Sequence, residues 1–269
     1  MLKTEMRNPD TYGIEKMSAL EIVSVINQEN NNVIKAIDET LPQIADACRS
    51  VENVIQNGGR VFYIGAGTSG RLGVIDAAEC PPTFGVADNL FNGIIAGGKD
   101  CMFKAKENAE DNPDISTEDL KQEKFSKRDI LIGISASGSA QYVISAIEFA
   151  NSIGAKTVSI TNNKDTLLGT IADINICADT GPEVITGSTR MKAGTAQKII
   201  LNMISTTAMI KCGCVYENLM INLKPTNKKL TKRMVNIVSE ILKCNSQKAE
   251  ILLNENEWDI RKAIEEGKV

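Results

Sequence analysis

The chain reads as an α/β protein: a doubly wound, five-stranded parallel sheet between helices, followed by a small helical bundle. Three observations carry this reading. An apolar run, Val61 to Ile64, stops at Gly65-Ala66-Gly67-Thr68-Ser69-Gly70-Arg71 and passes into a helical pattern. The device recurs at 129–140, DILIGISASGSA, where Ile130 to Ile134 runs into a hydroxyl-rich turn ahead of the helical stretch Tyr142 to Ala150. Short apolar runs and helical stretches then keep alternating, as crossover connections between parallel strands require.

Taken in order, residues 18–57 read as helical. Ile22, Val23, Val25 and Ile26, then Val33, Ile34, Ile37, Leu41, Ile44 and Val51, fall at three- and four-residue intervals. Pro42 splits the second part into two helices, and Gly58-Gly59 stops the pattern before the first strand. The helix after the first turn is expected to end at Pro81-Pro82, and KAKENAEDNPD to hold a helix ending before Pro113. The other expected strands are Gly93 to Ala96, Asp129 to Ile134, Lys156 to Ile160 and Asp173 to Cys177. A long apolar helix over 191–215 presents more than one face to be covered, by the sheet and by a second subunit in a homodimer. Pro225 marks a boundary, so residues 1–223 form the main domain and 224–269 a satellite of three short helices: Leu230 to Leu242, Ser246 to Leu253 and Asp259 to Ile264.

Composition narrows the function. With 269 residues, 42% hydrophobic and 24% charged, the chain is an ordinary globular protein, and its net charge of −4 argues against a nucleic-acid surface. The basic cluster Lys224, Lys228, Lys229, Lys232 and Arg233 is interrupted and reads as a solvated helix start. Seven scattered cysteines read as reduced thiols of a cytoplasmic protein, and no apolar run reaches membrane length. Histidine is absent, which leaves acid–base work to carboxylates, lysine, tyrosine or cysteine. No metal-ligand spacing stands out, Cys212-Gly213-Cys214 lacking a partner pair.

The turns point to an anion. At a helix start, free N–H groups together with Gly67, the Thr68 and Ser69 hydroxyls and Arg71 suit a phosphate. Ser135, Ser137, Gly138 and Ser139 form the second such turn, and Ser188 and Thr189 belong to a third, Thr186 to Arg190, that opens the long helix. Loops at the carboxyl ends of neighbouring strands converge on one crevice, so the three can grip one phosphorylated small molecule. A P-loop Gly-Lys-Ser/Thr is missing. The GxGxxG spacing lacks a well-placed ribose partner, because Asp88 falls in a polar turn ahead of the second strand.

Two carboxylates are candidates for catalysis. Glu79 is set among small and apolar residues, and Glu110 lies near Glu107 and Asp111 in a stretch that composition alone reads as a solvated face. Glu183 and Lys192 flank the third turn, as ligands of the sugar phosphate or as an ion pair fixing the loop.

The strings GAGTSGRLGVIDAAECPPTFGV, IAGG at 95–98, AEDN at 109–112 and GPEVITGSTRMKAGTAQKIILNMIST at 181–206 resemble the N-acetylmuramic acid 6-phosphate etherases, bacterial members of the sugar isomerase (SIS) fold. The likeness runs from about Ser18 to about Cys244. It implies cleavage of the D-lactyl ether of N-acetylmuramic acid 6-phosphate by elimination and then water addition, without metal or organic cofactor. Glu79 matches the family's acid, which protonates the departing lactate oxygen, and Glu110 its base, which takes the C2 proton. The second turn departs from the family pattern: Ser139 and Ala140 stand where an arginine and a threonine are usual, an expected loss of about 1–3 kcal/mol of phosphate binding. CNSQKAEILLNENEWDIRKAI resembles the small ubiquitin-associated-like bundle of these enzymes, about one helical segment shorter. The alternatives are a non-catalytic phosphosugar-binding regulator of the same fold, which needs the turns but not both carboxylates, and an aldose–ketose isomerase.

Overall fold

The computed structural model describes residues 1–106 and 109–268, apart from the Asp114 side chain; Glu107 lies outside the described residues. Five strands, β1 (Val61–Gly65), β2 (Phe91–Ile95), β3 (Ile130–Ile134), β4 (Lys156–Thr161) and β5 (Ile174–Cys177), pair in parallel in the order β2-β1-β3-β4-β5. Each lies within two residues of its expected position. Alternating side chains split the core in two. Val61, Tyr63, Ile130 and Ile132 face α2 (Asn31–Asp38), α3 (Leu41–Gln56), α4 (Gly67–Phe84) and α8 (Lys192–Lys211); Phe62, Ile64 and Leu131 face α5 (Pro113–Gln122), α6 (Gln141–Ser152) and α7 (Leu167–Ile171).

The helical stretch before the sheet resolves into α1 (Ala19–Glu29), α2 and α3. A Ser18–Glu21 capping box opens α1, and Pro42 sits in the first turn of α3, where its missing N–H costs no hydrogen bond. Two expectations fail between β1 and β3. Helix α4 continues through Pro81 and Pro82 to Phe84, because both prolines fall in its last turns and already hold a helical φ. It stops at Gly85, whose left-handed φ of 63° lets its N–H reach the Pro81 carbonyl at 2.9 Å. Among the described residues of KAKENAEDN there is no helix. This polar stretch has no apolar stripe to bury, and α5 instead starts at Pro113, the residue type best suited to a first helical position.

Helix α8 ends at Lys211, short of the expected Val215, and Gly213 (φ 85°) turns the chain into an antiparallel hairpin of β6 (Val215–Tyr216) and β7 (Leu219–Met220). Its apolar faces are covered by α2, α3, α4 and the sheet of the same chain, with Ile210 exposed, so its hydrophobicity does not call for a second subunit. The last helices are α9 (Lys228–Leu242), α10 (Ser246–Glu255) and α11 (Ile260–Gly267), capped by Asn227, Asn245 and Asp259. Ile221 shares their buried cluster, and Arg261 ties α11 back through bonds to the Gly213 and Val215 carbonyls at 2.9 and 3.1 Å. No helix among the described residues is long and apolar enough to cross a membrane.

A buried carboxylate joins sheet and helices. Asp76 on α4 accepts from Tyr63 Oη (2.9 Å), Asn202 Nδ2 (2.6 Å) and Ser205 Oγ (3.2 Å). Burial raises its pKa above the ordinary 3.8, and these bonds only partly offset the rise. The native state therefore holds this proton more tightly than the unfolded chain. Asp76 favours the fold below its unfolded pKa, and that contribution is lost as pH rises through the folded value. Relative to Asp76→Asn, the urea midpoint of the wild type is expected to fall as pH rises above the ordinary carboxylate range; parallel curves would contradict a raised pKa.

Candidate active site

The three turns meet at the carboxyl end of the sheet. Helix α4 starts directly from the first, so the N–H groups of its first turn have no partner within the helix. Glycine is required here: a Cβ on Gly70 would lie 2.5 Å from the Gly65 carbonyl oxygen. In the second turn the Gly138 N–H donates to Ser135 O and Oγ, both at 3.1 Å, and Ser139 Oγ donates to Ser137 Oγ at 2.9 Å. Gly138 has a φ of 69° and is packed against Thr166, so a side chain is excluded there too.

Gly67, Thr68, Ser69, Ser135, Ser137, Ser139 and Thr189 line one cavity of about 440 Å³. Gly138 and Ser188 support the turns without lining it. The Ser69 hydroxyl is committed to the protein, donating to Gln197 Oε1 at 2.9 Å. Gln197 Nε2 donates to Asn162 Oδ1 at 2.9 Å, and Asn162 Nδ2 to the Ala178 carbonyl at 2.8 Å. This fully buried chain of amides locks the first turn to α8 and to the ends of β4 and β5. Sequence reasoning missed Gln197 and Asn162; the available signal was a polar pair, Asn162-Asn163, at the end of an apolar strand.

The N-terminal segment was also missed. Leu2 and Glu5 line the cavity. Their positions follow from buried contacts: Asn163 Nδ2 donates to Thr4 Oγ1 (3.0 Å), Thr11 Oγ1 to the Val184 carbonyl (3.0 Å), and the Gly187 N–H to the Thr4 carbonyl (3.1 Å). A polar segment with no periodicity offers no sign of this docking.

Glu183 and Lys192 do not line this cavity, and Lys192 borders a separate one with Asn8 and Glu29. Glu183 accepts from the Lys192 and Ala193 N–H groups at 3.0 and 2.9 Å, capping α8, while burial pushes its pKa up. The Lys192 ammonium pairs with Glu29 of α1, not with Glu183, and Asn8 Nδ2 donates to the same Glu29 oxygen at 2.7 Å. Lys192→Met strands the Glu29 charge and is expected to cost about 3–5 kcal/mol in denaturant unfolding. A loss below about 1 kcal/mol would place this pair with exposed, weak ones.

Glu79 does not line either of the cavities that Glu110 borders. Glu110 is exposed at the cavity, and its carbonyl accepts the Tyr142 N–H at 3.0 Å, which fixes its backbone to the start of α6. It lines both the hydroxyl-rich cavity and a neighbouring one of about 370 Å³ that also holds Arg71 and Asp111. Arg71, expected among the phosphate turns, thus faces the second cavity. Glu79 is exposed on α4, twelve residues beyond Gly67 and so roughly 18 Å along the helix.

Two domain models match the chain: the glucokinase regulatory protein N-terminal SIS domain over residues 43–151 and the SIS domain over 114–206. Among solved structures, phosphoheptose isomerases from Francisella tularensis (TM-score 0.57, 20% identity, 72% of this chain and 100% of that one) and Neisseria gonorrhoeae (0.53, 16%, 72% and 97%) share the fold. The N-acetylmuramic acid 6-phosphate etherase of Clostridium botulinum (strain Loch Maree / Type A3) is 51% identical over 263 residues, 98% of this chain and 87% of the relative. N-acetylmuramic acid 6-phosphate etherase 2 of Vibrio cholerae is 49% identical over 98% of this chain and 86% of its own length. Sharing about half its residues with these proteins over nearly its whole length, the chain belongs to the N-acetylmuramic acid 6-phosphate etherase family.

Proposed function

We propose that the protein cleaves the D-lactyl ether of N-acetylmuramic acid 6-phosphate, yielding N-acetylglucosamine 6-phosphate and D-lactate. The observation that carries this reading is Glu110 at the junction of a hydroxyl-rich cavity, roomy enough for a sugar phosphate, and a second cavity beside it. Thr68, Ser137, Ser139 and Thr189, with the first-turn N–H groups of α4, hold the 6-phosphate. The sugar opens to its aldehyde, which acidifies C2–H, and Glu110 removes that proton. As the C3–O bond breaks, an acid protonates the lactate oxygen and a C2=C3 double bond forms. Water then adds its hydroxyl to C3 while the proton returns to C2, so the two steps sum to hydrolysis without redox change.

Glu79 is the acid in this reading. Its exposure and its place roughly 18 Å along α4 from Gly67 support a homodimer in which it enters the site of the other copy, across the α4 face that also exposes Ile75 and Ala78. Incubation with the substrate in 18O-labelled water tests the reaction. D-lactate release with label at the C3 oxygen of the sugar supports it, and tight phosphosugar binding without lactate would make the protein a regulator.

A further inference from the structure

The second cavity lies beside the hydroxyl-rich one, shares Gly67 and Glu110 with it, and carries a cation. Arg71 sits one helical turn beyond Gly67, and its Nε donates to the Met102 carbonyl at 3.1 Å. That bond orients the guanidinium and leaves its terminal nitrogens without an ion-pair partner among the described residues. Lys106 lines the same cavity, so two cations border a space of about 370 Å³. Its other walls are the small residues Ala66, Gly67, Ala96, Ala105 and Ala109, which with Cys101 shape a pocket for a short branched group rather than a second sugar ring, and the carboxylates Glu110 and Asp111 on the side where the two cavities meet.

We infer that this cavity is the subsite for the lactyl arm and that Arg71 binds its carboxylate, setting specificity for a sugar phosphate that bears an acidic ether at C3. The inference rests on the function proposed above. It follows from the order of groups along the substrate. The phosphate lies at one end, C2 and C3 in the middle and the carboxylate at the other end; along the protein run the hydroxyl turns, Glu110 and then Arg71. A planar guanidinium matches a carboxylate bidentately, and a half-buried setting strengthens that contact. It also separates substrate from product, since N-acetylglucosamine 6-phosphate has lost the arm and can no longer engage Arg71.

The test compares Arg71→Met and Arg71→Lys in the full chain, measuring KM for N-acetylmuramic acid 6-phosphate and Kd for N-acetylglucosamine 6-phosphate. Arg71→Met is expected to raise KM roughly 10- to 100-fold and to change the product Kd by less than about twofold, with Arg71→Lys in between. Retained product binding also shows that the variant is folded. Equal weakening of both ligands would return Arg71 to the phosphate site, and no change in either would remove it from recognition; both overturn the inference. Failure of the wild type to release D-lactate would instead defeat the proposed function itself.

Discussion

Glu110→Gln is expected to lower turnover of N-acetylmuramic acid 6-phosphate by about a thousandfold while changing substrate affinity only a few-fold. The substitution removes a proton acceptor and keeps the shape of the side chain. It also spares the backbone anchor, because the bond to the Tyr142 N–H uses the Glu110 carbonyl rather than its carboxylate. A stability change therefore cannot explain the loss. The sharper readout is isotopic: in deuterated water the wild type exchanges the C2 proton and the variant should not. Exchange persisting in Glu110→Gln would move the base to Asp111, which lines the second cavity beside it.

Glu79→Gln is expected to abolish lactate release to a similar degree, since an unprotonated lactate alkoxide is a poor leaving group, and to leave phosphosugar binding intact. Equal losses of binding and rate would end its role as the acid. Its position makes a second experiment decisive. In a shared site, mixing Glu79→Gln and Glu110→Gln subunits gives heterodimers in which one site has both carboxylates. Activity should recover to about a quarter of the wild-type rate after subunit exchange. In a site built from one chain every site would lack one carboxylate, and mixing would restore nothing.

The sheet was legible because its strands are short apolar runs that end in glycine- and serine-rich turns, a pattern with a single economical reading. Helices α1 to α3 and α9 to α11 were legible for a similar reason: each has an apolar stripe, and most have a capping side chain at the right position. What failed were rules applied without their position. Proline breaks a helix interior but is tolerated in its closing turns, which carried α4 past Pro81-Pro82, and it favours a helix start, which moved the helix near Glu110 to its far side at Pro113. The hairpin of β6 and β7 has only two residues in each strand, too few to show a period.

The sequence by itself determined the strands, the three hydroxyl turns, the family and the carboxylates to suspect, since all of these depend on residues close together in the chain. Only the tertiary structure decided what those residues face. Ser69 spends its hydroxyl on Gln197, Lys192 pairs with Glu29 some 163 positions away, and Thr4 and Asn163 bind each other across the molecule. Arg71 and Ser69 are two residues apart yet serve different cavities, because successive positions on a helix point about 100° apart. Such pairings are chosen by packing, where a buried polar group must find whichever partner the fold brings to it, and no local pattern records that choice.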